Sequence, residues 1–177
     1  IPPSHRAALA QALDDYVASQ RLNADRPDAR SNLGAFFAER GDFTQADKEF
    51  RQALAIDPSF VPAAINLADL QRSRGDERAA DATLRSSLKL TPNNAPLHHA
   101  LGLSLVRQRQ MDAALTELAA AARLAPADAR YAYVYGVALN SKGNTAQAVA
   151  VLAAANRRFS GDTDILEALA TMERDRG

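Results

Sequence analysis

One spacing governs this chain: residues of the same kind return every 34 positions. Prolines keep this interval, and so do small residues and alanines. The members of these three registers are Pro58, Pro92 and Pro126; Gly34, Ala68, Gly102, Gly136 and Ala170; and Ala46, Ala80, Ala114 and Ala148. Because independent registers share one period, the chain is predicted to be an array of similar units, each packed on its neighbours.

Each unit of the array divides into two stretches that have the apolar spacing of an amphipathic helix. Gly41, Gly75 and Gly143 lie at the break, where a left-handed residue commonly ends a helix. Asp42 and Asn144 follow, each with a Gln three residues later, which predicts a capping box on the second helix. A proline then ends the second helix, because the residue before it avoids the helical region. The predicted helices are 4–22, 27–40, 43–56, 61–74, 77–90, 95–108, 111–124, 129–142, 145–159 and 163–175.

A Leu-Gly pair, then Ala-x3-Phe, then Pro is a pattern that resembles the tetratricopeptide repeat (TPR) family. The first full repeat carries it as Leu33, Gly34, Ala46, Phe50 and Pro58. The resemblance implies an all-α fold, a right-handed superhelix of antiparallel helix pairs, in a single domain over residues 1–177. Its predicted parts are an N-terminal half repeat at 4–26, full repeats at 27–60, 61–94, 95–128 and 129–162, and a C-terminal capping helix at 163–177.

Two departures from the repeat pattern affect its turns. Arg109 stands where the other repeats have glycine, and Ser160 stands where they have the closing proline. Both are expected to shift the local turn and to leave the fold intact.

Composition and missing motifs exclude several functions. The chain has no Cys and three His, which argues against thiolate chemistry, disulfides and a His-rich metal site. Lys+Arg and Asp+Glu are 21 each, and a formal charge of zero argues against a nucleic-acid partner. No apolar run is long enough to insert into a membrane. A nucleophile elbow, a phosphate loop and a dinucleotide fingerprint are absent, so we expect no enzyme activity and no cofactor or metal in this segment.

His98 and His99 are neighbours, so on a helix their side chains point about 100° apart and cannot share a metal ion. One is expected to be packed and the other exposed. Among the alternating tyrosines of the fourth repeat, Tyr135 is expected in the core and Tyr133 on the concave face.

In TPR proteins the first helix of each pair lines the concave face, so the resemblance assigns a partner-binding groove to first-helix residues. They are Ile65, Asp69, Arg72, His99, Leu103, Val106, Arg107, Arg130, Tyr133, Val137 and Asn140. The same register adds Asp28, Ser31, Ala35, Ala38 and Glu39 in the first repeat, Pro62 and Ser73 in the second, Pro96 in the third and Ser141 in the fourth.

An apolar centre with a polar rim is typical of a binding surface. We predict a non-catalytic scaffold that binds a partner peptide or protein, with Arg72, Arg107 and Arg130 orienting an acidic or C-terminal group. The alternative is that the groove residues pack on adjacent first helices or on an adjoining domain.

Four stretches, residues 14–29, 60–70, 93–108 and 129–143, are similar to the C-terminal TPR region of bacterial multihaem c-type cytochrome-like proteins. This resemblance implies an accessory interaction tail of a periplasmic electron-transfer protein, with haem in the parent chain. Localisation is then periplasmic if the resemblance holds, and bacterial cytoplasmic otherwise. Self-association through the last helix is a further alternative, although a monomer is expected.

Overall fold

The chain is helical throughout the part that its structure describes. A computed structural model describes residues 3–175, and over this range it contains ten α-helices and no strand. The all-α prediction is confirmed, and each predicted helix end lies within one residue of the observed end. The helices are α1 (Pro3–Leu22), α2 (Pro27–Glu39), α3 (Phe43–Ile56), α4 (Val61–Ser73), α5 (Glu77–Leu90), α6 (Ala95–Arg107), α7 (Met111–Leu124), α8 (Ala129–Ser141), α9 (Thr145–Arg158) and α10 (Thr163–Arg174).

The helices form two compact units, residues 1–91 and 92–177. In the first unit α2 pairs with α3 and α4 with α5, while α1 packs on α2 and α3 on α4. In the second unit α6 pairs with α7 and α8 with α9, while α10 packs on α8 and α9. We call α2, α4, α6, α8 and α10 first helices, and α3, α5, α7 and α9 second helices. The single domain and its repeat boundaries stay a prediction, and residues 1–2 and 176–177 lie outside the described range.

Small residues on the first helices let paired helices approach closely. A Cβ atom added at Gly34 would lie 2.5 Å from the ring of Phe50, and one added at Gly136 would lie 2.6 Å from Leu152. Phe50 and Leu152 are buried in the core. The helical glycines therefore have a packing role that offsets their low helix propensity.

The turn within each helix pair has one backbone conformation, whichever residue occupies it. Gly41, Gly75 and Gly143 have φ of 78°, 82° and 91°, and Arg109 has φ of 60°. The Arg109 N–H donates to Val106 O at 2.9 Å, just as the Gly41 N–H donates to Ala38 O at 3.0 Å. The expectation that Arg109 shifts this turn is therefore wrong, because the arginine adopts the left-handed conformation of the glycines.

The two predicted helix caps differ. The Asp42 side chain accepts a hydrogen bond from the Gln45 N–H at 3.1 Å, as predicted. The Asn144 side chain makes no cap hydrogen bond at α9, so that prediction is wrong. There the Thr145 hydroxyl donates to Asn140 Oδ1 at 2.8 Å, which ties the first residue of α9 to the preceding helix.

A nitrogen-bearing side chain on the first helix contacts a glutamate on the second helix in two of the pairs. In the pair α2–α3, Arg30 donates to Glu49 at 2.8 Å and to the Ala24 carbonyl at 2.8 Å. In the pair α6–α7, His98 Nδ1 lies 2.6 Å from Glu117 Oε2, and Nε2 lies 2.9 Å from the Pro92 carbonyl oxygen. Arg30 and His98 lie 68 positions apart, two periods of the array, so they occupy the same place in their pairs.

Candidate partner-binding site

The first-helix face of the first unit is the surface that α2 and α4 carry. Of the predicted site residues here, Ile65 is partly buried, Asp69 is exposed and Arg72 is partly exposed. The Arg72 guanidinium lies 3.3 Å from the Asp69 carboxylate, one turn away on α4. The arginine that was expected to orient an acidic partner group therefore contacts an acidic residue of its own helix.

A cavity of about 290 Å³ opens between α2 and α4, and we call it the α2–α4 cavity. Ala35, Ala38 and Leu70 are among its lining residues, together with the carboxylate-bearing Glu39 and Asp69. The predicted site list includes Asp69 but not the other four. The repeat register nevertheless placed Ala35, Ala38 and Glu39 on the groove, so the signal for the cavity is present in the sequence.

On α6, the first helix of the second unit's leading pair, the predicted residues form a partly apolar surface. Leu103 and Val106 are partly exposed, and Arg107 is exposed. Apolar side chains that stay half in water beside a charge are typical of a surface that can bury them against a partner.

On α8 the predicted residues are more involved in local contacts. The Arg130 guanidinium lies 5.0 Å from the Tyr131 ring centroid and 3.5 Å from the Asp128 carboxylate. Tyr133 and Val137 are partly buried and pack against the core of the second unit. Asn140 uses its side-chain oxygen to accept from Thr145. Part of the predicted α8 surface is therefore already in contact with other residues of the second unit.

His98 and His99 are both partly buried, so the expectation that one is packed and the other exposed is wrong. His99 packs its ring against Tyr131, with the centroids 4.9 Å apart. Its Nδ1 is buried and has no hydrogen-bond partner among residues 3–175. Burial lowers the pKa of His99 below its usual value of 6.5, and the nearby charge of Arg130 lowers it further. The neutral imidazole is the form that this environment favours.

The tyrosines of α8 differ in their burial. Tyr131 is buried, whereas Tyr135 is partly exposed and its hydroxyl accepts from Gln147 at 3.4 Å. Tyr135 packs against the core cluster around Leu152, as predicted, but it stays partly exposed.

The described residues do not form a recognisable metal site. No group of three or more His, Asp or Glu side chains among them is arranged to hold a metal ion. None of the helices described is both long and apolar enough to cross a lipid bilayer.

Paired helices that repeat at 34 residues and present a partly apolar first-helix face define the class of helical-repeat proteins. Comparison with protein-family models identifies the particular family. Two models described as "Tetratricopeptide repeat" match residues 37–103 and 99–163, and together they span most of the chain. The chain belongs to the tetratricopeptide repeat family.

Several solved structures share this fold. PilF of Pseudomonas aeruginosa is 26% identical, with a TM-score of 0.73 over 88% of this chain and 70% of PilF. TTC0263, a thermophilic TPR protein of Thermus thermophilus, is 21% identical, with a TM-score of 0.71 over 96% and 94% of the two chains. YrrB, described as a TPR protein with an unusual peptide-binding site, is 19% identical, with a TM-score of 0.67 over 91% and 83%.

A comparison with curated protein sequences finds no match for this chain. The resemblance to multihaem cytochrome-like proteins receives no support from the family models or from these structures.

Proposed function

We propose that this chain is a non-catalytic interaction scaffold that binds a partner peptide or protein surface through its first-helix faces. One observation carries the proposal: Leu103 and Val106 remain partly exposed on α6, beside the exposed Arg107. Burial of such an apolar side chain against a partner lowers the free energy of the complex by about 25 cal/mol for each Å² of apolar surface removed from water. TPR proteins generally act as protein-interaction scaffolds, which supports the same function.

The site residues follow from this proposal unit by unit. In the first unit we propose the face around Ile65 and the α2–α4 cavity. In the second unit we propose Leu103, Val106 and Arg107 as the centre. The remaining predicted residues are His99, Arg130, Tyr133, Val137 and Asn140, and we propose that they border it. YrrB has a peptide-binding site by its description, and a peptide is accordingly the partner that we propose first.

We propose a monomer that needs no cofactor, with one competing candidate. Leu166 on α10 is 43% exposed, whereas Ala64, at the same register position, is fully buried against its neighbours. This apolar residue favours self-association through α10 as the second candidate. Sedimentation of the chain and of Leu166→Glu decides between them, because a mass that is independent of concentration in both excludes self-association. The role of accessory tail to a cytochrome is not proposed, because the comparisons give it no support.

Selection from a random peptide display library tests the proposed function without a known partner. Selected peptides are measured against the natural chain, against Ile65→Gln, and against the double variant Leu103→Gln/Val106→Gln. The matched control is Leu90→Gln, which replaces an exposed apolar residue on the second helix α5. We expect one of the two face variants to weaken binding by about tenfold while the control does not. Binding that neither face variant weakens would contradict the proposal.

A further inference from the structure

The residues that line the α2–α4 cavity suit the methylene stem of a long side chain. Its volume of about 290 Å³ is small, just below the range of about 300–1,000 Å³ typical of small-molecule pockets. Ala35, Ala38, Leu70 and Phe43 supply apolar surface, and Phe43 is itself 44% exposed. A cavity of this size suits one side chain of a partner rather than a small molecule of its own.

The rim of the same cavity has unbalanced negative charge. The Glu39 carboxylate is exposed and makes no hydrogen bond or ion pair with any of residues 3–175. The Asp69 carboxylate contacts Arg72 at 3.3 Å, but this pair is solvent-exposed, and exposed ion pairs contribute little. The one resident guanidinium therefore contacts Asp69 and not Glu39, which leaves the cavity rim able to accept a further cation.

We infer that the α2–α4 cavity receives an arginine or lysine side chain of a partner peptide. The methylene stem packs on Ala35, Ala38 and Leu70, and the cationic head reaches Glu39 and Asp69. Long basic side chains bury their stems on apolar surface while the charged head meets polar groups, and this cavity offers both surfaces. The inference rests on the proposed function, for which it supplies the chemistry that the partner must present.

Replacing Arg72 tests the inference through an expected gain in affinity for basic peptides. Its guanidinium already contacts Asp69, so an incoming cation must share or displace that contact. Replacing Arg72 with Gln removes the resident cation and leaves both carboxylates to the partner. Basic peptides are therefore expected to bind Arg72→Gln more tightly than the natural chain, and to lose more affinity in high salt.

The experiment selects peptides from a random display library on three chains. These are the natural chain, the double variant Glu39→Gln/Asp69→Asn, and the control Asp25→Asn. The control removes an exposed carboxylate in the turn between α1 and α2, outside the first-helix faces. Both cavity substitutions preserve side-chain size at exposed positions, so the variants are expected to keep the fold. Peptides from the natural chain and from the control are expected to carry an Arg or Lys at a fixed place, and this preference is expected to disappear on the double variant.

A selected peptide is then synthesised with Arg and with citrulline, which has the same shape and no charge. On the natural chain the citrulline peptide is expected to bind about tenfold more weakly, because a charge-assisted contact is lost. On Glu39→Gln/Asp69→Asn the two peptides are expected to bind alike.

The possible outcomes distinguish a failure of this inference from a failure of the proposed function. Peptides that depend on Ile65 or on Leu103/Val106 but show no basic preference overturn the inference and leave the proposed function standing. A basic preference that survives Glu39→Gln/Asp69→Asn also overturns the inference, because the cation then binds elsewhere. Peptides that depend on neither first-helix face overturn both.

Discussion

The first and third predicted repeats, residues 27–60 and 95–128, differ at matched positions and still share one local backbone. The turn between the paired helices holds Gly41 in the first and Arg109 in the third, with φ of 78° and 60°. The difference shows that helix packing sets this conformation, because the third repeat adopts it with a residue for which it is strained.

The side chain at the fourth position of the first and third repeats gives the second contrast. Arg30 has a planar guanidinium with five N–H donors, whereas His98 has an imidazole ring with two nitrogens. Arg30 Nη1 lies 2.8 Å from Glu49 Oε2, and His98 Nδ1 lies 2.6 Å from Glu117 Oε2. The two repeats therefore contact a second-helix glutamate with different side chains, and the substitutions below test how far the likeness extends.

The largest change in the free energy of unfolding is expected where paired helices approach most closely. Gly34 faces the ring of Phe50, whereas Gly102 faces the more flexible Leu118. Gly34→Ala is predicted to lower the free energy of unfolding by about 2 kcal/mol, as overpacking of a filled core does. Gly102→Ala is predicted to cost less, because the second repeat already accommodates Ala68 at this register position. Urea denaturation of both variants measures this, and equal losses would show that the facing ring has no part.

The next largest change in stability is expected at the two contacts with a glutamate. Glu49→Gln leaves the partly buried Arg30 without its carboxylate and is predicted to lower the free energy of unfolding by about 1 to 2 kcal/mol. Glu117→Gln is predicted to cost less, because the side chain of Glu117 is 21% exposed and that of Glu49 only 10%. Urea denaturation of both variants measures this difference. A cost of Glu117→Gln that equals or exceeds that of Glu49→Gln would refute the contrast.

The turn supplies a stabilising substitution. Arg109→Gly is predicted to raise the free energy of unfolding by about 1 kcal/mol, because glycine adopts positive φ without the clash of a Cβ atom. Gly75→Ala is the matched reverse change at φ of 82° and is predicted to lower it. Thermal unfolding of both variants measures the effect. A loss of stability in Arg109→Gly would mean that the arginine side chain contributes more than its backbone costs.

The smallest change in stability is expected at His99. The first repeat has the buried Ser31 at the same register position. The folded environment lowers the pKa of His99, so below about pH 6.5 the unfolded chain binds more protons than the folded chain. The contribution of His99 to stability is therefore fully present above that pH and is lost as the pH falls. Between pH 7.5 and 5.5 the natural chain is predicted to lose more stability than His99→Ser. Equal losses in paired denaturation curves would contradict this.

Much of the fold was readable in the sequence because it depends on spacing. Prolines, glycines and alanines act on the backbone locally, so their 34-residue registers located each helix end to one residue. The failed cap at Asn144 shows the limit. A capping box needs a side-chain conformation as well as a spacing, and here the Thr145 hydroxyl contacts Asn140 in its place.

The site was less predictable, because its properties come from contacts between helices. Spacing shows that His98 and His99 point in different directions, but it does not show that Glu117 and Tyr131 lie beside them. Likewise, the register placed Glu39 on the groove, but only the packing of α2 against α4 creates the cavity beside it.

The central claim is that the first-helix faces bind the partner, and an NMR titration tests it most directly. A peptide selected on this chain is added to the isotopically labelled protein, and the amide shifts are mapped. We predict that the largest changes lie on first helices, at residues such as Ala35, Asp69 and Leu103. Changes confined to the second helices, for example around Leu90 on α5, would contradict it.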